Sequence, residues 1–166
     1  MNQDILVAGA GPAGLALALQ AHAHGAVVRV IDRRREAVRP SRALILHART
    51  LEVLRPLGVT RALLARADVA PAADLRLGSR VVRVMFGDLA LPDTAFPHLS
   101  LIRQMDVERM LAQALADRGV KVERGTELAG LLDEPPGLRA DVEPGGGYLA
   151  RERLHVRPGG LRRVCR

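Results

Sequence analysis

Residues 4–32 read DILVAGAGPAGLALALQAHAHGAVVRVID, and this stretch decides the fold. The apolar run at 4–8, followed by glycines, indicates a buried strand that leaves its sheet through a tight turn. From Pro12 to His24 the residues are small and apolar, which predicts a helix with proline tolerated in its first turn and Gly25 as a stop. Residues 27–31 are β-branched and predict a second strand. Together they predict a βαβ unit with two parallel strands.

The turn of this unit has the glycine spacing of a dinucleotide-binding loop. Gly9 permits the sharp turn after the strand, and Gly11 lets the backbone approach a pyrophosphate. Gly14 allows the helix to pack closely on the strand. Pro12 and Ala13 complete the pattern at the start of the helix, whose N–H groups and dipole favour phosphate. An ordinary strand–helix turn is the alternative.

A carboxylate ends the second predicted strand. Asp32 lies 18 residues after Gly14, where it could accept hydrogen bonds from ribose hydroxyls. Its charge would also repel a 2′-phosphate, so the pattern favours FAD or NAD over NADP. The alternative for Asp32 is a solvated carboxylate in a loop.

Beyond this unit the sequence predicts a loop, further helices and short strands. The loop covers residues 33–42, and helices are predicted at 47–57, 60–66 and 106–118, with Asp106 as the N-cap of the last. Strands are predicted near 75–77, 81–86 and 120–123, and a small antiparallel meander near 126–132 and 138–143.

Three segments, correctly ordered within residues 4–123, resemble the FAD-binding start of single-component aromatic-ring monooxygenases, the family of phenol and polyketide hydroxylases. The segments are Gly9–Leu15 followed by Val30–Arg33, then Ser41–Ala43 with His47–Leu54, and Ile102–Gln104 before a helix with Glu108 and Leu111. The resemblance implies FAD as cofactor, NAD(P)H as transient reductant and a small aromatic molecule as substrate. The reductant's identity and the substrate stay open.

The resemblance also implies roles at matching positions. Asp32 would bind the adenosine ribose and Arg33 would lie beside the adenosine. Arg42 would approach FAD and help to set the position of the flavin ring. Arg103 and Gln104 would flank the ribityl chain and the pyrophosphate. No catalytic residue can be named.

Other charged residues have plainer interpretations. Arg34 and Arg35 extend a charge run, and such runs are usually solvated. Arg49 and Glu52 could form a structural pair on one helix face. The histidines show no metal-ligand spacing on one helix face, so no metal site is predicted.

The end of the chain lacks a regular pattern. We predict an incomplete FAD-binding domain at 1–150 and a basic irregular tail at 151–166. A shifted reading frame near 147–153 would explain the tail, and a natural short protein with a disordered tail is the alternative. In the family an FAD-contacting motif with Asp-Gly would fall near residues 150–165, where this chain has Arg157-Pro158-Gly159-Gly160-Leu161. A further motif with Gly-Asp and a substrate domain would come later. We therefore expect no hydroxylation by these residues alone, and poor solubility or association.

Composition excludes several classes of protein. The net charge is +7, but residues 151–166 hold six arginines and one glutamate, which leaves only +2 elsewhere and argues against nucleic-acid binding. No run is long enough to cross a membrane. The single cysteine, Cys165, fits a reducing cytoplasm. The oligomeric state is open.

The predicted fold class is α/β: a Rossmann-like FAD-binding domain with a parallel sheet and a partial β-meander, truncated at its C-terminal end. Three alternatives to the monooxygenase fragment stay open. They are another FAD oxidoreductase with the same start, a module that senses NAD or FAD, and a nonfunctional gene remnant.

Overall fold

The computed structural model describes residues 3–36, 43–69, 71–87, 91–135, 137–144 and 152–156. Its strands are β1 (Ile5–Ala8), β2 (Val28–Asp32), β3 (Ala43–Leu46), β4 (Asp68–Val69), β5 (Ala72–Leu77), β6 (Arg80–Met85), β7 (Ser100–Arg103), β8 (Val122–Arg124), β9 (Thr126–Glu134), β10 (Gly137–Pro144) and β11 (Glu152–Val156). Its helices are α1 (Pro12–Ala23), α2 (Ala48–Leu54), the short 3-10 helix Arg55–Leu57, α3 (Thr60–Leu64) and α4 (Gln104–Ala116). The chain forms two compact units: residues 1–39 with 111–166, and residues 40–110.

The first unit is built on the predicted βαβ motif. β1 and β2 are parallel, with Val7 opposite Val30, and β8 adds a third parallel strand on the far side of β2. The small apolar residues of α1 form the side of the helix that packs on this sheet, and Leu15 and Leu19 are fully buried. The mixed α/β class with a parallel sheet is thus confirmed.

An antiparallel meander packs against β1 and β2 in the same unit. β10 lies between β9 and β11, and its Ala140 and Val142 are buried with Ile31 of β2. Leu6 and Ala8 of β1 also pack in this cluster. Since side chains alternate along a strand, Val30 and Asp32 project to the face opposite Ile31.

The second unit has a small sheet and a hairpin. β7 pairs antiparallel with both β3 and β4, and β5 pairs with β6. Leu75, Leu77 and Val82 lie on one face of the hairpin and are about half or more exposed, at 51%, 65% and 45%. Such an apolar face fits the expected tendency to associate, which stays a prediction.

Two local predictions were wrong. Helix α4 begins at Gln104, so Asp106 lies inside its first turn and is not the N-cap. Within the predicted irregular tail, Glu152–Val156 forms β11, because the pairing with β10 supplies order that the residue pattern alone does not show. The domain boundary at residue 150 stays a prediction.

None of the helices in the described ranges is long and apolar enough to span a membrane.

Candidate dinucleotide-binding site

The glycine turn lies at the carboxyl end of β1. Gly9 has a φ of 113°, a conformation that side-chain-bearing residues rarely adopt. Its N–H donates to the Ile31 carbonyl at 2.8 Å, which continues the β1–β2 pairing into the turn. The turn is therefore fixed to the end of β2, where Asp32 stands.

Two glycines of the motif differ sharply in their surroundings. A Cβ placed on Gly14 would overlap the Gly9 carbonyl oxygen and would lie 3.3 Å from a methyl group of Val7. A Cβ on Gly11 would meet nothing within 4 Å, so the chain leaves open space there. Gly14 thus serves helix packing, while Gly11 faces open space.

The start of α1 offers backbone donors beside that open space. Gly11 is the N-cap, and no side chain caps the helix. Pro12 has no N–H, and the N–H groups of Ala13 and Gly14 lie in the first turn, where helix geometry provides no acceptor. Such an N-terminus suits a phosphate, both through its N–H groups and through the helix dipole.

Asp32 ends β2 beside the turn, and its side chain is only 4% exposed. Its Oδ2 accepts the Ala10 N–H at 2.8 Å, which ties the carboxylate to the glycine turn. Its Oδ1 accepts the backbone N–H of Arg34 at 2.9 Å. The structure therefore brings together the glycine turn and the carboxylate, as the spacing predicts.

The side chain of Arg34 is a site residue that the sequence analysis missed. Its Nε and Nη2 donate to the two oxygens of Asp32 at 3.0 and 2.7 Å, and its side chain is 24% exposed. The interpretation of Arg34 as part of a solvated charge run was wrong. The positions of the two residues could have indicated this contact. Asp32 and Arg34 are two positions apart, and side chains with this spacing in an extended segment lie on the same face.

The pKa of Asp32 reflects two opposed effects. Burial raises the pKa of its carboxyl group, but hydrogen bonds from Arg34 and Ala10 and the Arg34 charge outweigh burial and lower the pKa to about 2. The carboxylate is therefore ionised at neutral pH, the state that can accept hydrogen bonds from hydroxyl groups.

We expect Asp32→Asn to lower the free energy of unfolding by about 2 kcal/mol at pH 7. Because the folded-state pKa of about 2 lies below the ordinary 3.8, the charged form stabilises the fold above about pH 4. This contribution is lost as the pH falls from about 4 to about 2. Urea unfolding at several pH values should show the variant and the parent converging in acid.

Asp74→Asn is the matched control for this experiment. Asp74 also pairs with an arginine, Arg83, at 2.9 Å, but both side chains are well exposed. Its loss should change the free energy of unfolding by less than about 1 kcal/mol. Equal effects at the two positions would contradict the role given to Asp32.

The other predicted site residues have varied surroundings. Arg33 is exposed after β2, and Arg103 is exposed at the end of β7. Gln104 begins α4 and donates its amide to the carboxylate of Glu108 at 2.9 Å, and Glu108 is only 4% exposed. Because Gln104 and Glu108 are four positions apart, they lie on the same face of α4 and can form this hydrogen bond. Arg42 lies outside the described residues.

Two further observations concern predictions about charged and metal-ligating side chains. Arg49 and Glu52 form an exposed ion pair at 3.3 Å on α2, in line with the structural interpretation. Within the described ranges, no group of three or more His, Cys, Asp or Glu side chains could hold a metal ion.

A parallel βαβ sheet with an open glycine turn, an uncapped helix start and an ionised carboxylate at one edge defines a dinucleotide-binding α/β protein. Comparison with known families specifies the class. The profile of the FAD binding domain matches residues 2–152, and the chain belongs to that family. The resemblance drawn from the sequence is therefore confirmed, and the cofactor of the family is FAD.

The relatives that match by sequence are monooxygenases. A 6-methylpretetramide 4-monooxygenase of Streptomyces rimosus is 39% identical over 141 residues, which cover 84% of this chain and 25% of the relative. A rifampicin monooxygenase of Streptomyces venezuelae is 31% identical, over 89% of this chain and 30% of the relative. The chain thus spans between a quarter and a third of the length of these relatives.

Solved structures agree on the fold. An anhydrotetracycline hydroxylase from Streptomyces rimosus superposes with a TM-score of 0.71 at 28% identity, over 95% of this chain and 30% of that one. A p-nitrophenol 4-monooxygenase from Pseudomonas putida gives a TM-score of 0.77 at 22% identity, over 93% of this chain and 39% of that one. The second likeness concerns the fold alone.

Proposed function

We propose that this chain is the FAD-binding part of a flavin-dependent monooxygenase that hydroxylates an aromatic or polyketide substrate, with NAD(P)H as reductant and oxygen as co-substrate. We further propose that the chain alone does not hydroxylate. The support is its membership of the FAD binding domain family, together with relatives that are monooxygenases and several times longer. A cytoplasmic location, argued from the single cysteine, belongs to the same proposal.

The main support for FAD at this site is the arrangement of three features at one edge of the parallel sheet. The space over Gly11 is open, the N–H groups at the start of α1 lie beside it, and Asp32 stands at the same edge of the sheet. In this arrangement Ala13 and Gly14 would donate to the pyrophosphate. Asp32 would accept hydrogen bonds from the adenosine ribose.

Four further residues are proposed as FAD contacts on the strength of the family resemblance. Arg33, exposed after β2, would lie beside the adenosine. Arg42 would help to position the flavin ring, and Arg103 and Gln104 would flank the ribityl chain and the pyrophosphate. Gln104 already donates to Glu108, so a ligand would share it with a buried carboxylate.

The chemistry divides between cofactor and protein. Bound FAD would supply the redox and oxygen chemistry of hydroxylation. The residues of this chain would hold the pyrophosphate and the ribose and thereby orient the cofactor. No residue of the chain is assigned to catalysis.

The test is the visible absorbance spectrum of the purified chain after incubation with FAD and removal of the excess. We expect retained flavin, with bands near ~450 nm and ~370 nm. We also expect no oxygen-dependent consumption of NADPH or NADH beyond that caused by the same concentration of free FAD.

Two results would contradict the proposal. A folded but colourless protein that binds NAD in a titration would make the chain a nicotinamide-nucleotide module. Hydroxylation of a phenolic test compound by the chain alone would disprove the proposed lack of activity. The extent of folding is checked by circular dichroism in both cases.

A further inference from the structure

The carboxylate of Asp32 is fully occupied by protein donors. An ionised carboxylate offers about four hydrogen-bonding positions, two on each oxygen. Oδ1 accepts the backbone N–H and the Nε of Arg34, at 2.9 and 3.0 Å. Oδ2 accepts the Ala10 N–H and the Nη2 of Arg34, at 2.8 and 2.7 Å. A ribose therefore finds no acceptor position left on Asp32.

Removal of the guanidinium alone would restore a suitable acceptor pair. Each oxygen would keep one backbone donor, from Arg34 or from Ala10, and would regain one position. The carboxylate would then have one free acceptor position on each of its two oxygens. These two positions suit the 2′- and 3′-hydroxyls of a ribose, which are two neighbouring donors. The fork of the guanidinium thus makes the same two-pronged contact that a ribose diol would make.

The backbone of Arg34 is held by hydrogen bonds that do not involve its guanidinium. The Arg34 carbonyl accepts the N–H of Gly125 at 3.0 Å, and its own N–H is held by Asp32. Its side chain, in contrast, is about a quarter exposed and follows the last residue of β2 by two positions. Displacement of the guanidinium by rotation about side-chain bonds would leave both of these backbone hydrogen bonds in place.

We propose that the Arg34 guanidinium occupies the ribose position of the dinucleotide site, and that the adenosine ribose displaces it from Asp32 on binding. This inference rests on the proposed FAD function and adds a residue that sets affinity. Arg34 is a competitor of the ribose diol. The measured affinity for a ligand with a ribose diol equals its intrinsic affinity multiplied by the fraction of molecules in which Arg34 does not cover Asp32.

The test compares two probes, ADP and 2′,3′-dideoxy-ADP, by calorimetry on the full chain. Both carry the same charge, so a general electrostatic effect cancels in the ratio of their affinities. In Arg34→Ala we expect ADP to bind about five- to tenfold more tightly, because the diol no longer displaces the guanidinium. The dideoxy compound, which has no diol, should bind with unchanged affinity.

Two variants control for charge and for folding. Arg35→Ala removes the same charge from the next position, whose side chain is exposed, and should leave the ratio unchanged. Arg34→Lys keeps the charge but lacks the two-pronged fork, so it should give an intermediate ratio. It also provides a folded variant if Arg34→Ala is too unstable to measure.

The outcomes separate this inference from the proposed function. If Arg34→Ala retains FAD but its ratio of ADP to dideoxy-ADP affinity is equal to that of the parent, or lower, the displacement inference is wrong and the FAD function stands. If neither protein retains FAD or binds ADP, the proposed function fails and the inference fails with it. A rise in the ratio of ADP to dideoxy-ADP affinity in Arg34→Ala supports the displacement inference.

Discussion

Gly14→Ala is expected to lower the free energy of unfolding by about 3 kcal/mol or more, the largest stability effect among the changes considered. The new Cβ would overlap the Gly9 carbonyl oxygen, which belongs to the backbone and cannot rotate away. Alanine favours helices over glycine by only about 1 kcal/mol, so this gain does not offset the overlap. Movement of Gly9 would also disturb its hydrogen bond to Ile31.

Urea unfolding followed by circular dichroism would measure this loss. For a domain whose total stability is about 5–15 kcal/mol, the variant should unfold at clearly lower urea concentration. A loss smaller than about 1 kcal/mol would show that α1 does not pack on the turn as closely as described.

Gly11→Ala, in contrast, is expected to leave the free energy of unfolding nearly unchanged and to weaken FAD binding. Gly11 has φ and ψ of −79° and 176°, which any residue adopts, and its Cβ would meet no protein atom within 4 Å. The methyl group would instead stand in the space that the proposed site assigns to the pyrophosphate. A steric cost of about 1–3 kcal/mol corresponds to a loss of roughly ten- to a hundredfold in FAD affinity.

Quenching of flavin fluorescence would measure this affinity, and urea unfolding of the same preparation would serve as its control. Stability should stay equal or rise by a few tenths of a kcal/mol, because alanine restricts the unfolded chain more than glycine does. Unchanged FAD affinity would place the pyrophosphate elsewhere and would remove the main support for the proposed site.

The first unit was predictable because its signals are local. The glycine spacing, the breaker-free apolar helix and the β-branched run each specify their own element, and they agree with one another. The helix runs from Pro12 to Ala23 against a predicted end at His24, and β2 is shifted by one residue from the predicted 27–31. The meander was also predicted, because the sequence Pro135-Pro136-Gly137 separates two weakly alternating stretches, and these stretches form β9 and β10.

The missed elements depend on partners distant in sequence. β3, β4 and β7 have only two to four residues each, too few for an alternating pattern to stand out. They are strands because β7 pairs with the other two. Arg34 was missed for a similar reason, since a run of arginines shows charge but does not show which one turns back to Asp32.

The order of the parallel sheet has a consequence for how the protein folds during synthesis. β2 and β8 are neighbours, with Val30 opposite Val122, so roughly 90 residues must leave the ribosome before the third strand can join. The intervening residues 40–110 are contiguous and form their own compact unit, so most of their contacts do not depend on β8. Closing so long a loop adds little to the equilibrium cost, since each doubling costs only about 0.6 kcal/mol. The delay is therefore kinetic, and until β8 arrives one edge of β2 stays open to pairing with other nascent chains.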